Sequence, residues 1–279
     1  MTGRRAGNAF WMLPLAAVLL AGVFFCWQNN ALTITDLRVV EPGIPQAFDG
    51  FQILHLSDLH GKRFGPDQDR IVRKILSTAP DAIVVTGDLI DSRKKGMDDA
   101  LALMEAAAGL APVYFVPGNH EAWSGEYPVL KEALVRAGVI VLDNQSVTVE
   151  KQGDFIVMAG LMDPEFGEEA FDAGLKSMEG LEGFVILLSH RAERMDAYSG
   201  AGMNLVFAGH AHGGQVVLPF LGGLVAPDQG IFPKYHAGLY RRGDTAMVVS
   251  RGLGNSIFPL RIFNPPEMVL VVLESAYGR

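Results

Sequence analysis

The sequence predicts an α/β fold, on three observations. Five short polar groups each follow an apolar, strand-like run, segments of helical period separate the first four of these groups, and beyond residue 212 the helical signals give way to short strands. Phe51 to Ser57 reads as a strand ending on Asp58, and Asp67 to Thr78 carries apolar residues at helical spacing. Ala82 to Thr86 is the next strand and ends on Gly87-Asp88, with a helix predicted over Asp98 to Ala108. Val113 to Val116 leads into Pro117-Gly118-Asn119-His120, and a third helix is predicted over Tyr127 to Ala137. Phe184 to Ser189 then precedes His190, and Leu205 to Ala208 precedes Gly209-His210. Gln215 to Leu218, Ala246 to Ser250 and Met268 to Leu273 read as the later strands. Each polar group is thus expected at a strand's carboxyl end, the edge of an open α/β sheet where loops converge on ligands.

The polar groups themselves carry the chemistry. They read Asp58-Leu59-His60, Gly87-Asp88-Leu89-Ile90-Asp91, Gly118-Asn119-His120-Glu121, Ser189-His190 and Gly209-His210-Ala211-His212, and they hold five of the seven histidines. Two divalent cations about 3.5 to 4 Å apart need hard oxygen and borderline nitrogen donors, one carboxylate able to bridge, and open positions for water and substrate. Asp58, His60, Asp88, Asn119, His190, His210 and His212 supply that mixture. Cys26 is the only cysteine, so a closed zinc site built on thiolates is excluded. Gly87, Gly118 and Gly209 precede three of the candidate ligands, where a residue without Cβ lets the backbone approach an ion.

The N-terminus predicts where this chemistry takes place. Ala9 to Trp27 is uncharged and apolar, and as a helix it measures roughly 28 Å, close to a bilayer core. Arg4 and Arg5 precede it and no Lys or Arg follows until Arg38, an asymmetry that places the N-terminus in the cytoplasm and the remainder outside. Phe25-Cys26-Trp27 is a poor cleavage site, so a single-pass, uncleaved anchor of the cell membrane is expected. The expected organisation is residues 1–30 as cytoplasmic tip and transmembrane helix, 31–50 as linker and first strand region, and 51–279 as one catalytic domain. A net charge of −8 argues against a phosphate-backbone groove, so no nucleic-acid partner is expected, and no obligate protein partner either.

From Asp58 to His212 the chain resembles the calcineurin-like metallophosphoesterases, whose signature runs D-x-H, GDxxD, GNH(E/D), a lone His and GHxH. The N-terminal segment, Gly213-Gly214-Gln215 and the tail from Arg251 through Arg261 to Pro265-Pro266-Glu267 point to a membrane-anchored bacterial branch. The resemblance implies a four-layer α/β/β/α sandwich of two mixed sheets with helices outside. It also implies a first ion on Asp58, His60 and His212, a second on Asn119, His190 and His210, and Asp88 bridging them. The expected activity is phosphodiesterase-like hydrolysis of a phosphoester or pyrophosphate by a metal-bound hydroxide. His120, oriented by Asp91, would stabilise the transition state or protonate the leaving oxygen. The donor set accepts Mn, Fe, Zn, Co or Ni.

Other positions carry narrower expectations. Gln215 and Arg261 are candidate substrate contacts, Glu121 is expected to support the Asn119-His120 turn, and His55 to point to the opposite face of its strand from Asp58. Asp91 is followed by Ser92-Arg93-Lys94 where phosphoprotein phosphatases of this superfamily have Arg-Gly, which argues against a phosphoprotein substrate. A tethered site favours lipid or cell-envelope substrates. UDP-2,3-diacylglucosamine pyrophosphatases of lipid A synthesis are one membrane-linked likeness, although their substrate faces the cytoplasm. In the alternative class, a non-catalytic metal-binding membrane protein, His120 and Asp91 would have no task.

Overall fold

In the computed structural model the described residues are 5–94, 96–255 and 258–276, without the side chains of residues 5–11 and 13. In chain order the first elements are α1 (Arg5–Asn30), β1 (Thr33–Glu41), β2 (Gln52–Leu56), α2 (Asp69–Thr78), β3 (Ala82–Thr86), α3 (Asp98–Ala108) and β4 (Val113–Val116). The middle of the chain forms α4 (Asn119–Ser124), α5 (Tyr127–Arg136), β5 (Ile140–Val141), β6 (Gln145–Lys151), β7 (Asp154–Gly160), α6 (Glu168–Ser177), β8 (Phe184–Arg191), α7 (Met195–Gly200) and β9 (Leu205–Gly209). Then come the short strands β10 (Val217–Leu218), β11 (Gly222–Gly223), β12 (Val225–Ala226) and β13 (Gly230–Ile231), followed by β14 (Gly238–Arg242), β15 (Thr245–Val249) and β16 (Glu267–Ser275).

Two six-stranded mixed sheets result, ordered β1-β16-β2-β3-β4-β5 and β14-β15-β9-β8-β7-β6, with β10-β11 and β12-β13 as separate hairpins. Period-two alternation decides how they stack. In β3, Ile83 and Val85 pack with Ile71, Ile75, Leu103 and Met104 of α2 and α3. Ala82 and Val84 of the same strand face the other way, into a core shared with Ile156, Ile186 and Phe207 of the second sheet. That sheet's other face packs on Phe171 and Leu175 of α6 and Tyr198 of α7. The order of layers is therefore helices, sheet, sheet, helices.

Two placements add detail to what was expected. Thr33–Glu41 pairs in parallel with β16 along its whole length, so this stretch is an edge strand of the first sheet. Strand β8 continues through His190 to Arg191, with a register shift between Leu188 and Arg191, so His190 projects from an irregular strand end and not from a loop. At the N-terminus a helix forms over Arg5–Asn30. Among the described residues no helix is long and apolar enough to cross a membrane. The span expected over Ala9 to Trp27 falls partly outside them, because the side chains of residues 9–11 and 13 are not described, and Arg4 lies outside altogether.

Candidate metal centre

The candidate ligands come from the carboxyl ends of β2, β3, β4, β8 and β9, where both sheets bring their loops to one edge. Asp58, His60, Asp88, His210 and His212 all adopt left-handed backbone, with φ of 54°, 50°, 53°, 65° and 47°. Each such conformation costs a non-glycine residue about 1 kcal/mol or more. Bonds between the loops offset this: the Asp58 N–H donates to Gly87 O at 3.0 Å, the His60 N–H to Asp88 O at 2.9 Å, and the His210 N–H to Asp58 Oδ1 at 3.2 Å. Gly87 is required by close approach, since a Cβ there would lie 2.4 Å from the Gly118 nitrogen of the next ligand loop.

Of the four donor groups among the described residues, two share Asp88. Asp58, His60, Asp88 and His212 form one, and Asp88, His190 and His210 the other, the donor atoms of each lying within 4.8 Å of one another. His60 Nε2 faces His212 Nε2 at 3.1 Å, and His210 Nδ1 faces His190 Nε2 at 3.1 Å. Asp88 Oδ2 lies 3.5 Å from His60 Nε2 and 3.3 Å from His190 Nε2. On the far side of the first group Asp58 Oδ1 is 3.4 Å from His212 Nε2. Asn119 is buried beside them and its Oδ1 has no hydrogen-bond partner among the described residues.

This donor set fits divalent cations. Burial pushes the His60 pKa down to about 3 and that of His212 well below its ordinary value, so both rings are neutral. Two neutral imidazoles with ring nitrogens 3.1 Å apart share one hydrogen at most, whereas a cation between them accepts both lone pairs. An orphaned, buried amide oxygen at Asn119 is likewise costly without a positive partner. At His190, burial opposes protonation, but the Asp88 carboxylate outweighs it and raises the pKa to about 10. The metal-free protein thus holds a proton between Asp88 and His190.

His120 lies at the rim of the first group. Its Nδ1 accepts the Ser92 N–H at 3.1 Å, with Ser92 Oγ at 3.2 Å. Asp91, expected to orient this ring, is 3.5 Å away, beyond a hydrogen bond, and its carboxylate is taken up by Arg93 Nε and Nη2, both at 2.9 Å. Although burial opposes it, that guanidinium holds Asp91 well below the usual carboxylate range. Ser92 is therefore the residue that bonds the His120 ring. An Nδ1 that accepts an amide N–H leaves the proton of the neutral ring on Nε2. Glu121 does more than support its own turn: Oε2 accepts the Gly118 and Asp88 N–H groups, each at 2.7 Å, and Oε1 the Ile90 N–H at 3.1 Å. One carboxylate so joins two ligand loops.

The remaining candidates lie elsewhere. Arg261 is 1% exposed and its guanidinium donates to Arg251 O at 2.9 Å, Asn264 O at 3.3 Å, Asn255 Oδ1 at 3.0 Å and Gly254 O. Its donors hold the tail loops together. Gln215 follows the His212–Gly214 turn at a φ of 61°, and its carbonyl accepts from Asn264 Nδ2. His55 is buried between the sheets, with Nε2 2.7 Å from Thr86 Oγ1. Sequence reasoning missed Asp228 and Arg191. Asp228 Oδ2 is 2.9 Å from His210 Nε2 and 2.5 Å from Arg191 Nη1, while Arg191 is held in turn by Asp163 at 2.6 and 2.9 Å. A carboxylate on the outer nitrogen leaves His210 Nδ1 as the inward donor. Only the position of Arg191, next to His190, could have signalled this.

The calcineurin-like phosphoesterase family matches residues 51–214. The uncharacterized metallophosphoesterase YkuE of Bacillus subtilis is 32% identical over 89% of this chain and 87% of its own length. The phosphodiesterase YaeI of Escherichia coli is 29% identical over 80% of this chain and 82% of its own. A zebrafish (Danio rerio) transmembrane protein with metallophosphoesterase domain is 30% identical over 97% of this chain, which spans 64% of that protein's length. The chain belongs to the calcineurin-like phosphoesterases and is a metal-dependent hydrolase of phosphoester bonds.

Proposed function

We propose that this phosphoesterase uses two divalent ions to cleave a phosphoester or pyrophosphate of a membrane lipid or cell-envelope compound. The observation that carries the two-ion reading is Asp88 Oδ2, within 3.5 Å of His60 Nε2 and 3.3 Å of His190 Nε2 and so common to both donor groups. His60, His212 and Asp58 would hold one ion, His190, His210 and Asn119 the other, with Asp88 between. Bound there, the ions supply Lewis-acid stabilisation of phosphoryl oxygens and a water that ionises near neutral pH.

The protein's own residues do the rest. The Ser92 N–H fixes the His120 tautomer, so the Nε2–H is available to a phosphoryl or leaving oxygen. Glu121 keeps the Asp88 and Asn119 loops in register. Residues 51–279, with β1, make up the catalytic unit, and α1 would anchor it in the cell membrane with the catalytic domain outside. Supporting the anchor are the exposed apolar side chains of Leu15, Val18, Leu19, Leu20 and Val23 on a helix that packs little of its length against the domain.

The test is the purified full chain loaded in turn with Mn, Fe, Zn, Co and Ni and assayed on aryl phosphomonoesters, aryl phosphodiesters and UDP-linked lipids. Two ions per chain in active protein, and a loss of both in Asp88→Asn, are expected. One tightly held ion with full activity after that substitution would refute the two-ion reading. Salt-resistant association with membranes, and a C-terminal reporter active only outside the cytoplasm, are expected of the anchor. A reporter active only inside would reverse the topology and favour a UDP-2,3-diacylglucosamine-type substrate.

A further inference from the structure

Two hairpins close to the metal edge carry exposed apolar side chains. Phe220 and Leu221, at the tip of the β10-β11 hairpin, are 107% and 66% exposed, and Ile231 and Phe232, at the end of the β12-β13 hairpin, are 70% and 54% exposed. A contiguous exposed apolar patch on a globular domain marks an interaction surface. These four side chains are exposed, yet the loops that carry them are tied to the domain close to the metal ligands: Asn264 Nδ2 donates to His212 O at 2.7 Å, and the Val217 N–H to Ile262 O at 2.9 Å.

The same loops meet the foot of α1. The Phe263 ring lies 5.6 Å from that of Phe24, edge to face, and the Asn264 N–H donates to Gln28 Oε1 at 3.2 Å. Asn29 Oδ1 accepts from Asn255 Nδ2 at 2.7 Å and from the Arg261 N–H at 3.2 Å. Lys62, two residues past the ligand His60, donates to Asn29 O, and Arg70 Nη2 donates to Asn30 O at 2.8 Å. The exposed Trp27 sits on the same turn of helix. An apolar helix thus ends on the metal edge, inside a collar of basic and aromatic residues of the kind that lies at a lipid headgroup layer. From there Phe263 carries the apolar surface on to the hairpin that bears Phe220.

We propose that the 218–221 hairpin tip and the open end of the β12-β13 hairpin at 230–232, with the 258–263 loop, form a docking rim that inserts into the bilayer surface beside α1 and turns the metal edge toward lipid headgroups. The proposal rests on the anchoring role given to α1 above and adds an orientation, since a flexible tether alone would let the metal edge face any direction. The occupant is a lipid surface because the rim is continuous with α1 through Phe24 and Phe263 and carries Lys62 and Arg70 at the same level.

The test uses the full chain with the lone cysteine removed (Cys26→Ser) and a single new cysteine at Phe220→Cys or Phe232→Cys, labelled with the environment-sensitive fluorophore NBD. The control is Glu150→Cys, an exposed position on β6 where that strand approaches the turn into β7, at the opposite edge of the sheet. Each protein is reconstituted into phosphatidylethanolamine and phosphatidylglycerol vesicles with or without doxyl-labelled lipid, and turnover of bis(p-nitrophenyl) phosphate reports that the metal site is intact. Labels at 220 and 232 are expected to shift to the blue and to be quenched by doxyl lipid, with the label at 150 unchanged. Vesicle-bound protein whose 220 and 232 labels stay in water would overturn the rim and leave the anchor standing. A blue shift without lipid quenching would overturn the lipid reading and show that these positions meet protein instead. Failure to bind vesicles at all would overturn anchor and rim together.

Discussion

Gly118→Ala isolates the bridging carboxylate. Gly118 has φ −100° and ψ −171°, extended backbone that alanine adopts without strain, so the substitution acts through sterics alone. A Cβ there would lie 2.4 Å from Asp88 Oδ1 and 2.9 Å from the Asp88 nitrogen, where ordinary contact begins at 3.4 Å. The Asp88 carboxylate must therefore retreat by about 1 Å, a misplacement of the size that lowers turnover about 10²-fold. The retreat strains the bond from the His120 N–H to Oδ1, 2.9 Å long, and carries Oδ2 away from His60 and His190 together. Loss of a group that orients a metal ligand lowers metal affinity about 10- to 100-fold, and misplacing the ligand itself should do at least as much, about 1.4 to 2.7 kcal/mol. Metal affinity by calorimetric titration of the metal-free chain with Mn, metal content by elemental analysis of the loaded protein and turnover of bis(p-nitrophenyl) phosphate should all fall together, with a smaller fall in the metal-free Tm because the approach to the Asp88 backbone nitrogen must also be relieved. Wild-type metal affinity and turnover in Gly118→Ala would refute the bridging role. A collapse of the metal-free Tm would locate the damage in packing.

Three further outcomes are expected. His120→Ala should keep its metal content by elemental analysis and lose about 10²- to 10⁴-fold in turnover, the range for a positioned acid or base; loss of an ion would make His120 a ligand. Asp228→Ala frees the outer nitrogen of His210 and should weaken metal binding about 10- to 100-fold in a chelator competition, with Asp228→Asn closer to wild type. In the metal-free protein, burial and the charge on Asp88 raise the Glu121 pKa from 4.5 to about 7, so the stability this group contributes is present below pH 4.5 and lost as pH rises through about 7. The metal-free Tm of Glu121→Gln should lack that decline, and an unaltered pH profile would show that Glu121 does not titrate there.

What could be read in the sequence was whatever local pattern encodes. Strands such as Ala82–Thr86 and Val113–Val116 stand out because an apolar run ends abruptly on glycine and polar residues, and both form with the bounds that pattern predicts. The parallel pairing of Thr33–Glu41 with Glu267–Ser275 was not legible, since nothing near residue 33 states which distant strand it will meet. Left-handed backbone at Asp58, His60, Asp88, His210 and His212 was equally hidden, because these positions carry none of the glycines that usually announce it. Asp228 sits in Pro227-Asp228-Gln229-Gly230, the composition of an ordinary turn, and gains meaning only when the fold returns that turn to His210 and Arg191. Arg261 reads in the sequence as a substrate contact because an arginine within an apolar stretch lacks a visible partner, and the structure supplies partners in the Gly254, Arg251 and Asn264 carbonyls and the Asn255 side chain.

The pull on titratable groups within this one site runs in opposite directions, and that opposition says what the site lacks. Burial raises the pKa of Asp58 and of Glu121, whereas Asp88, beside His190, lies well below the ordinary range and His190 itself rises to about 10. Carboxylates so close together in a dry site cannot all be ionised without positive charge near them. Asp91 has its charge nearby in Arg93 and Lys94, at 2.9 and 3.2 Å. Asp58 and Asp88 have no Lys or Arg within ion-pair reach among the described residues, only imidazoles, and of these His60 and His212 are held neutral. The proton on His190 is the metal-free protein's partial answer, and a divalent ion at His190 and Asp88 must displace it. Metal uptake is therefore expected to release a proton, with apparent affinity rising with pH while His190 is protonated, since protons and ions compete for the same nitrogen. The same competition explains why Arg191, though only 3.1 Å from His210 Nε2, leaves the inner donors free: its charge is spent on Asp163 and Asp228, outside the ring of ligands.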